Sequence, residues 1–161
     1  GNHERVFFDF LTEPLALQSW AQFGGLETLA SYGLKPRLPV TDASAKDLQE
    51  QLLAVMPAHH RTFLGQLRTH FETPSLFFAH AGINPDVPLD SQSPEDLLWI
   101  RDPFLNSSKR FPKRVVHGHT PRPGVEILPN RINVDTGAYA TGKLSAVAIS
   151  GRDCRVLQAL R

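Results

Sequence analysis

The chain has 161 residues, 41% of them hydrophobic and 20% charged, which suits one domain with a buried core and excludes a disordered or fibrous class. Seventeen basic against sixteen acidic residues leave a net charge of +1 with no run of like charges, so there is no electrostatic case for a nucleic-acid or membrane partner, and any anion specificity has to be local. The single cysteine, Cys154, excludes an intrachain disulfide and a cysteine-rich zinc site and points to a reducing, cytoplasmic setting, while no apolar run reaches the ~18 to 20 residues of a membrane span and the first residues carry no signal-peptide pattern.

Val6, Phe7, Phe8 and Phe10 put apolar bulk on a short helix that starts at Glu4 and ends near Thr12, ahead of Pro14. Leu15, Leu17, Trp20 and Phe23 fall at roughly helical spacing up to Gly24-Gly25, and Leu26 to Tyr32 predicts a further short helix stopped at Gly33. Two prolines between Lys35 and Pro39 mark a connector. Thr41 to Ser44 then supply capping oxygens for a helix from about Ala45 to Met56. Pro57 opens another from Ala58 to Phe71, with Phe63, Leu64, Leu67 and Phe71 on one stripe. The helices over about residues 14–72 predict a cap on a single domain spanning 1–161.

After Pro74 the pattern changes. Ser75 to Ala79 is a nearly continuous apolar run, which predicts a strand buried on both faces with His80 at its end. Asn84 to Gln92 reads as a loop, and Ser93-Pro94 opens a short helix that carries Trp99 and Arg101. Arg114 to His117 predicts a second buried strand leading directly into Gly118-His119-Thr120-Pro121. Four further strands follow, at 125–128, 131–134, 144–149 and 155–160. Helices first and strands later predict an α/β fold.

Asparagine and histidine side chains carried on separate strand-end loops are what a compact divalent-metal site needs, because amide oxygen and neutral imidazole suit Zn, Fe, Ni or Mn. A strand-end histidine taken alone is more often structural. It is the order of Asn2, His80 and His119 that singles them out. His117, two residues before His119, faces away from any site its neighbour serves and reads as a supporting contact. His59, His60 and His70 read as solvated helix surface, Asp135 as the stabiliser of a Thr-Gly turn, and Trp20 and Trp99 as core.

Five stretches occur in order: Gly1-Asn2-His3-Glu4, His80-Ala81-Gly82-Ile83, Trp99 to Phe104, Gly118 to Pro121, and Asn133 to Ala138. Together they resemble the second half of the signature of the calcineurin-like metallophosphoesterases. Within that superfamily the similarity is to the phosphoprotein phosphatase branch, with its bacterial serine/threonine protein phosphatases and diadenosine polyphosphate hydrolases. The resemblance implies a metallophosphatase-type β-sandwich flanked by helices. It implies two divalent metal ions, Mn, Fe, Zn or Ni, with Asn2, His80 and His119 as ligands of the second. His3 corresponds to the general acid, and Arg101 to an arginine that takes the substrate phosphate; a surface ion pair of Arg101 with Asp102 or Asp96 is the alternative.

The implied reaction is hydrolysis of phosphomonoesters, on phosphoproteins or small substrates, by a hydroxide bridging two metals about 3.5 to 4 Å apart. The same centre cleaves anhydrides, so hydrolysis of dinucleoside polyphosphates is the second expectation. The family's GDxHG and GDxxDRG stretches stand upstream of GNHE, and this sequence begins at GNHE. A fold lacking its N-terminal part is therefore expected, with weak metal binding, slow turnover and self-association through an unpaired sheet edge. A catalytically inactive fragment or binding module is the third reading.

Overall fold

The computed structural model describes residues 1–151 and 153–161, which form two compact units, one of Asn2–Leu67 and one of Arg68–Arg161 together with Gly1.

The first unit is helical: α1 (Asn2–Phe10), α2 (Ala16–Trp20), α3 (Gly25–Ser31), α4 (Asp42–Val55) and α5 (Ala58–Gly65). Phe10, Leu17, Leu29, Ala45 and Leu52 are fully buried in its core, where the rings of Phe7 and Trp20 stack at 5.2 Å. The start of α4 is set by a reciprocal cap. Thr41 Oγ1 accepts from the Ser44 amide at 3.2 Å while Ser44 Oγ accepts from the Thr41 amide at 2.9 Å, so the helix begins three residues ahead of Ala45. Gln49, buried on α4, donates to the carbonyl of Phe10 at 2.8 Å and satisfies a group left open at the end of α1.

The expected helix from Ala58 to Phe71 is shorter than its sequence pattern suggests. It stops at Gly65, a poor helix former, and His70–Glu72 forms strand β1 instead. Phe71, read as the end of a helical stripe, is a cross-strand partner of Phe78 with ring centroids 6.0 Å apart. His70 therefore lies on a strand, stacked on Phe77 at 5.0 Å, rather than on a helix beside His59 and His60.

The second unit is built on a five-stranded mixed sheet in the order β1-β2-β3-β5-β4, with β2 (Leu76–Ala79), β3 (Arg114–His117), β4 (Glu126–Ile127) and β5 (Arg131–Asn133). β2, β3 and β5 are parallel; β1 and β4 run antiparallel at the edges. Burial on both faces holds for Val115, Val116 and His117 of β3, whereas on β2 only Phe77 is fully enclosed. Between β2 and β3 the chain forms α6 (Pro94–Trp99), started by the Ser93 cap, and α7 (Asp102–Leu105). Leu97 and Phe104 from these helices close over Phe77, Ile83 and Val115. A short α8 (Ala138–Thr141) precedes a second sheet, the hairpin of β6 (Lys143–Ser150) and β7 (Asp153–Leu160). Among the described residues no helix is long and apolar enough to cross a membrane.

Candidate active site

Parallel neighbours end on the same side of a sheet, so the segments leaving β2 and β3 emerge together. His80 directly follows Ala79 of β2, and His119 lies two residues beyond His117 of β3. Their imidazoles meet: His80 Nε2 and His119 Nδ1 are 3.1 Å apart, with ring centroids at 4.9 Å and planes at 64°. The two loops are also joined through the backbone, because the Gly118 amide donates to the His80 carbonyl at 2.8 Å.

His119 has a left-handed backbone, φ +64°, which costs a non-glycine residue about 1 to 2 kcal/mol. The surrounding loop holds it there. The Thr120 amide turns back to the Gly118 carbonyl at 2.7 Å, and Asn133, fully buried at the end of β5, donates from Nδ2 to the Thr120 carbonyl at 2.8 Å. Arg101 comes from the junction of α6 and α7 and donates through Nη1 to the His119 carbonyl at 3.3 Å and to Thr120 Oγ1 at 2.9 Å. The alternative surface pairing of Arg101 with Asp102 or Asp96 does not form among the described residues. Asp96 instead faces Ser93, whose hydroxyl donates to it at 2.9 Å.

Trp99 departs from its expected place. It is 40% exposed rather than core, and its indole stands perpendicular to the His119 ring at 6.1 Å. Helix α6 ends at this residue, so the side chain projects beside the strand-end loops instead of under the sheet.

On the inner side of the loop His117 is 2% exposed and packs edge-on against Phe104 at 4.9 Å. Its Nδ1 lies 3.1 Å from the Gly118 carbonyl and its Nε2 3.3 Å from Nη1 of the buried Arg131, which in turn donates to Glu126 at 2.9 Å. Burial pushes the His117 imidazole down to about 4, with the Arg131 charge adding to the effect and the bond to Gly118 opposing it. The ring is neutral at neutral pH. Asp135 stabilises its turn as expected, accepting from the Gly137 amide at 2.9 Å.

Two nitrogens bound to one ion at about 2.0 to 2.1 Å sit about 3.0 to 3.4 Å apart, so the 3.1 Å separation of His80 and His119 fits two adjacent positions around a metal. Among the described residues no three His, Cys, Asp or Glu side chains stand together as a metal-binding group. Asn2, buried, and His3, exposed, occupy the first turn of α1 in the helical unit. Two contributors went unread in the sequence, Thr120 and Asn133. An asparagine inside the predicted strand 131–134 was the available signal, since a polar group enclosed there has to find a partner.

No family model and no curated protein matches the chain. Among solved structures, a crystal structure of a protein named "putative diadenosine tetraphosphatase" is similar to it, with a TM-score of 0.55, 24% identity, and coverage of 84% of this chain and 73% of that one. The similarity is one of fold. The α/β class, with a mixed sheet and helices, is the one the sequence predicts.

Proposed function

We propose that this protein is a metal-dependent phosphoesterase of the calcineurin-like superfamily, and that its site lies at the ends of β2 and β3. The observation that carries the reading is the 3.1 Å pairing of His80 and His119 with Arg101 anchored to the same loop. A divalent metal bound at that pair would polarise a phosphate oxygen and lower the pKa of an attacking water. Arg101 is exposed, and its Nη1 contacts hold the guanidinium while Nε and Nη2 have no hydrogen-bond partner among the described residues, a fork suited to two phosphate oxygens. The assignments of Asn2 as a ligand and His3 as the general acid rest on the sequence resemblance. The single cysteine accords with a reducing, cytoplasmic setting.

Phosphomonoesters, including phosphoserine and phosphothreonine in proteins, are the first substrate class. Dinucleoside polyphosphates are the second, favoured by the name of the similar solved structure. The test is hydrolysis of p-nitrophenyl phosphate, a phosphothreonine peptide and diadenosine tetraphosphate with Mn, Fe, Zn or Ni supplied. Slow turnover of at least one substrate, abolished by His80→Ala, supports the reading. No turnover of any substrate with any metal, or activity that persists in His80→Ala, overturns it and leaves the inactive binding module.

A further inference from the structure

We infer that His117 is a positioning residue: its Nδ1–H holds the Gly118 carbonyl and so fixes His119 in its left-handed conformation, while Arg131 and Glu126 hold the ring itself in place. The inference rests on the reading of His119 as a site residue.

The geometry assigns the tautomer. Gly118 offers Nδ1 a carbonyl, which only accepts, at 3.1 Å; Arg131 offers Nε2 a guanidinium, which only donates, at 3.3 Å. A neutral imidazole protonated at Nδ1 satisfies both. The carbonyl it grips belongs to the peptide that enters His119, and the amide of the same Gly118 reaches His80. The His117 ring thus acts on Gly118, the one residue whose carbonyl enters His119 and whose amide reaches His80.

The cost of this arrangement argues against a purely stabilising role. The Arg131 side chain is 4% exposed, its Nε has no hydrogen-bond partner among the described residues, and its carboxylate partner, Glu126, is itself only half-buried. Replacing a buried charged group and its partners by apolar residues of similar volume is often neutral or stabilising. A chain selected for stability alone would place a hydrophobe at 131, as Ile132 and Val115 are placed beside it.

Asparagine and glutamine separate the two ring nitrogens. The amide nitrogen of asparagine sits near the place of Nδ1 and can donate to Gly118; that of glutamine sits near Nε2 and cannot. On the full chain, His117→Asn is expected to keep the His119 and Thr120 amide positions in 1H–15N spectra of the metal-free protein and to hold kcat within about threefold of the parent. His117→Gln is expected to move both amides and lower kcat at least about tenfold with KM little changed. Arg131→Met is expected to lower the melting temperature, because it leaves Glu126 and His117 Nε2 without their donor, while reproducing the glutamine pattern. Equal behaviour of the asparagine and glutamine variants, a ring protonated at Nε2 in the parent, or unchanged amides in Arg131→Met overturns the inference. If the parent hydrolyses nothing, the phosphoesterase reading fails, and the amide pattern alone decides the role of His117. Should Arg131→Met not fold, the asparagine and glutamine pair still decides it.

Discussion

Gly82, two residues past His80, has φ +150°, and a Cβ built there would stand 2.2 Å from Cδ1 of the buried Phe104. No rotamer change relieves a contact with a ring that is itself enclosed. Gly82→Ala should therefore destabilise the protein by about 3 kcal/mol, read as a lower denaturant midpoint at constant m-value. Arg101 makes the opposite case. It is exposed, so Arg101→Lys should leave stability within about 0.5 kcal/mol; if Arg101 takes the substrate phosphate as proposed, the same change should lower kcat/KM by about tenfold or more, because an ammonium cannot grip two phosphate oxygens in one plane. The strand-end places of His80 and His119 were legible because each follows a short apolar run that predicts a strand. Trp99 was not, because nothing in Leu97-Leu98-Trp99-Ile100 says on which side of the third residue the helix ends.

Among the elements, α4 owes its start to the Thr41–Ser44 cap, and Thr41→Ala should cost about 1 kcal/mol, measurable by thermal unfolding. The docking of α5 near α3 has a different signature, because the Tyr32 hydroxyl lies 2.7 Å from His60 Nδ1. Burial raises the Tyr32 hydroxyl above the usual phenol range. The folded state therefore keeps its proton longer than the unfolded one, so this contribution is intact below about pH 10 and is lost as pH rises beyond it. Unfolding followed across the alkaline range should show a decline that Tyr32→Phe removes. The Ser93 cap could be read directly, whereas among Thr41 to Ser44 the sequence did not single out Thr41, and the start of α4 was placed three residues late. Strand β1 could not. Three residues, His70-Phe71-Glu72, carry too short a pattern to oppose the helical spacing of Phe63, Leu64 and Leu67, and the partner that makes Phe71 a strand residue, Phe78, lies outside any local window.

The described residues form two cores, one around Phe10, Leu29 and Leu52 and one around Phe77, Leu97 and Phe104, each with one tryptophan in its unit, Trp20 and Trp99. Leu52→Ala and Phe104→Ala each leave a cavity costing about 2 to 5 kcal/mol. The loss should register first in the fluorescence of the tryptophan in the same unit, which single-tryptophan variants can resolve. The α/β class was legible from the change of period near Pro74. The strand order was not, because nothing local in the sequence places β3 between β2 and β5.

That order bears on how the protein comes into being. Strand β2 cannot find its parallel neighbour until the chain has passed through α6 and α7, and the histidines that meet at 3.1 Å are 39 positions apart in sequence. Contacts of such range are slow to form compared with the neighbouring helices of Asn2–Leu67. During synthesis the apolar run Leu76–Ala79 leaves the ribosome before β3 exists, and its β3 edge stays uncovered while some forty further residues are added. The candidate site is thus among the last features to assemble, and the interval before β3 arrives is when a chaperone, or a wrong partner, has its opportunity.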